Sequence, residues 1–242
     1  MIEYQWRIVL AYLPDYLHAA VLALRITVLG FVLAFALAVI AALARDSGSR
    51  VLRFAGACYV EVIRNTPVLL QIFIVYFAFP TLGIRLSAVT AGIIALGVNV
   101  GAYLTEVVRA GFSSVERGQL EAAQVLGLSR LSVFTYIVAP QALRNVYPSL
   151  VNNLVQVLLG TSLLSTIAVP EITGVATVIN ARTLLFVQVF GIAVVAYLIL
   201  SYGLSVAADV IRRLLFRAPS AGRPASGTPK RRAFRAAIGT RP

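Results

Sequence analysis

The sequence predicts an all-α integral membrane protein of about five transmembrane helices, with its N-terminus outside the cytoplasm and its C-terminus inside. Three observations carry this. Of 242 residues, 60% are hydrophobic and only 12% charged, with a mean hydropathy of +0.89. A soluble domain carries about 25% charged residues, and a chain this apolar cannot cover a water-facing surface. Five uncharged or nearly uncharged runs each approach the roughly 20 residues needed to cross a bilayer. The cations are distributed unevenly between the two sets of connecting segments. Disorder, a disulfide scaffold and a soluble enzyme are excluded.

Residues 1–17 mix Tyr4, Trp6, Tyr12 and Tyr16 with aliphatic side chains and only Glu3, Arg7 and Asp15 as charges. Amphipathic rings with sparse charge fit a short segment lying at the membrane–water interface. The stretch lacks the basic start of a signal peptide, and the apolar run behind it is a full span. Residues 18–217 then form the transmembrane domain. Its spans are predicted at 26–44, 65–84, 86–105, 146–170 and 183–208. The second and third are parted by a turn at Pro80, Gly83 and Arg85, because forty residues cannot cross a bilayer of about 30 Å as one helix.

Segments 45–53, 109–145 and 212–242 hold 3, 4 and 9 Lys/Arg, against 1 each in 1–17, at Arg85 and in 169–182. The positive-inside rule makes the first set cytoplasmic. An odd number of spans then puts the termini on opposite sides. Residues 218–242 contain four prolines among Ser, Gly, Ala and Arg, and cannot bury enough apolar surface to fold. This basic tail, predicted disordered, has membrane lipid as its partner rather than nucleic acid.

Several classes of chemistry are absent from the sequence. The lone Cys58 forms no intramolecular disulfide, and His18 has no metal-ligand companions at suitable spacing. The single lysine, Lys230, follows Pro229, so the chain lacks the Gly-x4-Gly-Lys-Ser/Thr loop that cradles nucleotide phosphates. No metal and no cofactor is expected on this chain, and no catalytic residue.

The long cytoplasmic segment, residues 113–145, is the most informative. Residues 119–126 read as a short helix with a small-residue face at Ala122 and Ala123. Gly127 reads as its C-cap in the left-handed region, and Ser129 as the N-cap of a second short helix. Alanines permit close approach of another backbone, and Glu121 offers one charge for register. An ordinary helical hairpin accounts for the same pattern. At the start of the second span, Thr66 reads as an N-cap with Pro67 at the first helical position. Glu61 with Arg64, and Glu106 with Arg109, are spaced to pair on a helix. In the fourth span Asn152, Asn153, Gln156, Thr161, Ser162 and Ser165 are too many polar groups for a lipid-facing helix. Lining a water-filled cavity and bonding between helices remain alternatives for each.

The series Glu121-Ala122-Ala123, Gly127, Ile137 and Pro140 resembles the EAA loop of permease subunits of bacterial ABC importers. Arg64, Thr66, Pro67 and Gln71 resemble the start of the second span in the polar amino-acid subfamily, the histidine, glutamine and glutamate type. So do Ala102 to Gly111, then Pro140-Gln141-Ala142, Thr161-Ser162-Leu163 and Val169-Pro170-Glu171. The resemblance implies the type I ABC importer permease fold in a bacterial cytoplasmic (inner) membrane. It also implies a second permease subunit, the same or homologous, a pair of ABC ATPase subunits that bind ATP and Mg, and an extracytoplasmic solute-binding protein. Carried over, Glu121, Ala122, Ala123, Gly127 and Pro140 form the ATPase-coupling loop. Thr66, Gln71, Tyr103, Asn152, Asn153, Gln156, Thr161, Ser162 and Ser165 line the path of a polar amino acid or related solute, moved by alternating access. The chain departs from the family at Asn153, where a Glu is common, at Leu159-Gly160 and at Ala139. The alternative class is an ion-gradient-driven secondary transporter or channel subunit, against which the absence of an inverted repeat argues.

Overall fold

The computed structural model describes residues 2–216, so the basic tail predicted over 218–242 lies outside the described residues. Nine helices account for nearly all of them: α1 (Ile2–Leu10), α2 (Leu13–Arg45), α3 (Arg50–Arg64), α4 (Val68–Leu82), α5 (Ala88–Ser113), α6 (Arg117–Val125), α7 (Arg130–Ile167), α8 (Ile172–Thr183) and α9 (Phe186–Leu215). Helices α2, α5, α7 and α9 are each long and apolar enough to cross a membrane. A fifth crossing is the pair α3 and α4, bent by 106°. The fold is therefore the predicted bundle of about five crossings; the second span predicted at 65–84 corresponds to α4, and the 106° bend at 65–67 falls at its predicted start.

Helices α2 and α5 form the central pair. The reason lies in side-chain size: Gly30, Ala34, Ala38, Ala41 and Ala42 on α2 face Ala91, Ala95, Gly97, Gly101 and Ala102 on α5, all buried. Lipid tails are as apolar as leucine, so close van der Waals packing of small residues drives association. A Cβ on Gly101 would stand 2.7 Å from the Tyr59 hydroxyl and 3.1 Å from the Ala34 carbonyl oxygen, so only glycine fits. Ile72, Leu104, Val157 and Leu164 fill the space around this pair. A second core joins Val9 of α1 and Tyr16 of α2 to Ile172 and Ile179 of α8 and Val189 of α9.

Helix α2 begins at Leu13, so the predicted boundary at residue 17 falls inside it. Proline positions shape the rest. Pro80 and Pro140 each follow a π-helical turn, Ile74–Ala78 and Val133–Val138. Such a turn lets a helix continue past a residue that has no N–H to donate. Consequently the predicted second short helix after Ser129 is instead the first part of α7, continuous through Pro140 to residue 167. The outer end of α7 tightens into a 3-10 turn, Thr161–Ile167, and the chain reverses at Ala168 with φ +60°.

Candidate functional site

At the bend between α3 and α4 the last carbonyls of α3 run short of backbone donors: Glu61 keeps Asn65 N–H at 3.1 Å and Ile63 only a long bond from Thr66 N–H at 3.5 Å. Three side chains add to these. Asn65 Nδ2 donates to the Glu61 carbonyl at 2.7 Å, Thr66 Oγ1 to the Val62 carbonyl at 2.9 Å, and Gln71 Nε2 to the Ile63 carbonyl at 2.9 Å. Gln71 Nε2 also donates to Thr66 Oγ1 at 2.7 Å, while Asn99 Nδ2 on α5 donates to Gln71 Oε1 at 3.1 Å. Thr66 is thus not the predicted N-cap. Pro67 occupies that position, and the threonine hydroxyl turns back to close α3.

The bend opens onto a cleft of about 660 Å³ between α3–α4, α5 and α7. It is lined by Arg64, Asn65, Thr66, Asn99, Tyr103, Asn153 and Gln156, with Pro67, Val68 and Val100. The Arg64 guanidinium lies 5.1 Å from the centre of the Tyr103 ring, a cation–π distance. Arg64 does not pair with Glu61 as the spacing predicted; Glu61 accepts instead from Asn65 at 3.2 Å. Asn153 uses its Nδ2 on the Ser149 carbonyl at 2.8 Å, which leaves its Oδ1 available to the cleft. Among the described residues the lining contains amides, hydroxyls and one cation, and no carboxylate.

Of the nine residues predicted for the solute path, Thr66, Tyr103, Asn153 and Gln156 line this cleft and Gln71 braces its wall. The other four do not belong to it. Asn153 and Gln156 share a face by their i, i+3 spacing, while Asn152 is turned by about 100° into a separate cleft with Tyr147, Tyr202 and Asp209. Thr161 is fully buried, and its hydroxyl donates to the Leu158 carbonyl at 2.7 Å. Ser162 and Ser165 likewise donate to carbonyls three residues back. Ser165 lines an outer groove with Tyr12, Asp15, His18 and Arg182. Asn99 and Arg64 complete the cleft and were missed. The available signal was Asn99 itself, an amide in an otherwise apolar span.

The cytoplasmic segment forms as predicted at its turn. Leu128 N–H reaches the Ala123 carbonyl at 3.1 Å and Gly127 N–H the Gln124 carbonyl at 3.0 Å. With Gly127 at φ +70° this is a Schellman C-cap. Ser129 Oγ accepts from Ser132 N–H at 3.1 Å and caps α7. Gln141 Nε2 donates to Gln119 Oε1 at 2.7 Å, joining α7 to α6. The predicted small-residue face does not hold: Glu121 and Ala122 are exposed, but Ala123 is 2% exposed and packs inward. The outward apolar surface consists of Val125, Leu126 and Leu131, exposed by 88%, 76% and 72%. Pro140 sits within α7, away from that surface.

Two clusters fix the ends of the bundle. On the cytoplasmic side Arg45 bonds Glu106, and Arg109 reaches both Asp46 at 3.2 Å and Glu106 at 3.4 Å. The predicted Glu106–Arg109 pair is therefore half of a four-residue network. On the outer side Glu171 is fully buried at the start of α8. Its carboxylate accepts from Thr173 N–H at 3.0 Å, Gly174 N–H at 2.7 Å and the Tyr197 hydroxyl at 2.5 Å. Burial pushes its pKa above the usual carboxylate range.

A five-crossing bundle with a polar cleft inside it and an exposed apolar helix on its cytoplasmic face defines a membrane-embedded transport subunit. Residues 34–220 match the family described as binding-protein-dependent transport system inner membrane component. The chain belongs to that family, as a multi-pass permease subunit of the ABC importer type in a bacterial inner membrane. It is 39% identical to the L-cystine transport system permease protein of Bacillus subtilis, over 79% of this chain and 82% of that protein. It is equally 39% identical to a probable glutamine ABC transporter permease protein of the same organism, over 80% and 89%. A crystal structure of an amino acid ABC transporter with histidines superimposes with a TM-score of 0.78 at 29% identity, covering 85% of this chain and 96% of that one. Inward-facing MetNI methionine ABC transporter shares the fold, with a TM-score of 0.68 at 16% identity over 85% and 98%.

Proposed function

We propose that this chain is one of two permease subunits through which an ATP-driven importer passes a polar amino acid. The observation that carries the solute class is the cleft at the α3–α4 bend. Its amides, hydroxyls and Arg64 offer donors and acceptors to a polar solute, and its lack of a carboxylate disfavours a cationic side chain. Relatives named for cystine and glutamine support the same class. The partners are a second permease subunit, identical or homologous, a pair of ABC ATPase subunits and an extracytoplasmic solute-binding protein. ATP and Mg reside on the ATPase pair, and this chain performs no covalent chemistry.

Mechanically, α6 is the contact with the ATPase. Glu121, Ala122 and the apolar Val125 and Leu126 present one continuous outward surface. The Gly127 cap sets its angle to α7, and the Gln119–Gln141 bond ties it to the helix that carries Asn153 and Gln156. A displacement of α6 on nucleotide binding is thereby carried into the cleft wall, which is how alternating access is driven from outside the membrane. The tagged chain is to be purified in mild detergent and its stoichiometric partners identified by mass spectrometry, with uptake then measured in vesicles against a panel of amino acids. A P-loop ATPase in the complex and ATP-dependent uptake of a neutral or acidic polar amino acid are expected. A chain that purifies alone and transports with an ion gradient but without ATP overturns the proposal.

A further inference from the structure

The cytoplasmic ends of α7 and α9 enclose a second pocket, about 580 Å³, lined by Ala139, Pro140, Gln141, Leu143, Arg144 and Phe216. Its level relative to the bilayer follows from the charge pattern. Residues 186–208 of α9 and 145–170 beyond Arg144 carry no charge. Twenty-three helical residues rise about 34 Å, slightly more than the hydrocarbon core. Arg144, Asp209, Arg212 and Arg213 therefore stand at the inner headgroup layer. Helix α9 is the least buried of the long helices, so the pocket beside its end lies on an exposed face of the chain.

The charges at this level are not equivalent. Arg212 and Arg213 both pair with Asp209, at 3.1 and 3.7 Å. Arg144 has no ion pair among the described residues. Its guanidinium lies 5.7 Å from the centre of the Phe216 ring, and that ring is held edge-on by Tyr147, whose hydroxyl is fixed on the Ala208 carbonyl at 2.6 Å. Gln141, on the same wall, has its amide nitrogen engaged on Gln119 Oε1 at 2.7 Å and the Ile137 carbonyl at 3.0 Å, so Arg144 is the donor this wall offers. From residue 217 the sequence continues for 26 residues with seven cations and no acid. A positioned guanidinium without an ion-pair partner among the described residues, exposed at the headgroup level and followed by a basic segment, is complementary to a phosphate ester at the membrane surface.

We propose that this pocket binds the phosphate headgroup of an anionic phospholipid of the cytoplasmic leaflet, with Arg144 as the anchoring cation. The assignment stands on the membrane topology alone and is independent of the solute carried. Because Gln141 also bonds Gln119, the bound headgroup adjoins the segment that holds α6 to α7. Leaflet charge then acts on the coupling helix from the membrane side.

The test uses the full purified chain, delipidated in mild detergent and supplied with phosphatidylglycerol or phosphatidylcholine, with lipid retention read by native mass spectrometry. One phosphatidylglycerol per chain should be retained in preference to phosphatidylcholine. Arg144→Gln should lower retention roughly fivefold, the weight of one cation at a charged surface. Phe216→Ala, which keeps every charge, should also weaken it, whereas Arg182→Gln at the outer face should not. Equal retention of the two lipids overturns the proposal. So does retention that survives Arg144→Gln but is lost in Arg231→Gln/Arg232→Gln, which would place the effect in the tail alone. Displacement of the lipid by co-purified nucleic acid overturns it as well.

Discussion

Asn99, midway along α5, donates to the side-chain oxygen of Gln71 on α4 at 3.1 Å, which fastens α4 to the best-packed helix of the bundle, as Tyr59 Oη on the Val98 carbonyl at 2.8 Å fastens α3. Gln71 in turn serves the Ile63 carbonyl and the Thr66 hydroxyl, so a single amide closes the end of one helix and anchors the next. The irregular backbone is thereby satisfied from within the protein, as it must be at membrane depth.

Removing that amide should open the bend. In Gln71→Ala, Asn99 loses its acceptor, which costs about 1–3 kcal/mol for a buried group left unmade, and the Ile63 carbonyl keeps only the longer bonds from Thr66 Oγ1 at 3.3 Å and Thr66 N–H at 3.5 Å. A lower melting temperature in detergent is expected, with protein still inserted in the membrane. Asn99→Leu should cost less, because Gln71 keeps its bonds to the Ile63 carbonyl and to Thr66. Equal losses from both substitutions would show that the α4–α5 bond, and not the closure of α3, sets the stability.

The two alanines of the cytoplasmic helix should behave differently. Ala123 is buried in the chain's own fold, so Ala123→Leu overpacks it by about 1–3 kcal/mol and lowers thermal stability. Ala122 faces outward, and Ala122→Leu should leave the melting temperature unchanged while weakening co-purification of the ATPase. Gly127→Ala places a Cβ at φ +70°, costing about 1–2 kcal/mol, and loosens the angle between α6 and α7. Comparing melting curves with pull-down yields separates the two effects.

What could be read from the sequence follows from range. The number of crossings and the Gly127 turn rest on composition and local spacing, and they form as predicted. Four of the nine residues expected on the solute path line the cleft. Asn153 and Gln156 face the cleft at i, i+3, but the pairing of Arg64 was misread because its partner is an aromatic ring 39 residues on, not the acid three residues back. Thr66 was misplaced for a related reason. A side chain that caps a following helix and one that closes a preceding helix look alike in sequence, and only the 106° bend decides between them. Helix α6 packs against the 133–138 turn of α7, and the burial of Ala123 is something periodicity within α6 does not reveal.

Arg64 is the cleft's only cation among the described residues, and it should set charge preference. Replacement by Gln removes the guanidinium but keeps an amide at the site. Transport of an acidic amino acid should fall by about tenfold or more, the weight of a lost charge-assisted hydrogen bond of roughly 1.5–3 kcal/mol. Transport of a neutral carboxamide should change little. Initial uptake rates of the two solutes in the same vesicles measure the ratio, and an unchanged ratio would remove Arg64 from the solute path.

Glu171 and Tyr197 latch α8 against α9 on the outer face, and the latch should respond to pH. Burial raises the Glu171 pKa in the fold above its value in the open chain. Folding of this segment therefore takes up a proton. The resulting stabilisation is full below the unfolded pKa and fades as pH climbs through the raised folded value. Amide exchange at Thr173 and Gly174, the two N–H groups that the carboxylate accepts, should be slowest at acid pH after correction for intrinsic rates. Glu171→Gln should abolish this pH dependence. It should also speed exchange throughout, because its one carbonyl oxygen cannot serve both backbone donors and the tyrosine. Tyr197→Phe removes one donor at 2.5 Å and leaves the carboxylate in place. Exchange should accelerate there too, yet the pH dependence should persist. A pH profile that survives Glu171→Gln would assign the titration to another group and leave the Glu171–Tyr197 contact a purely structural one.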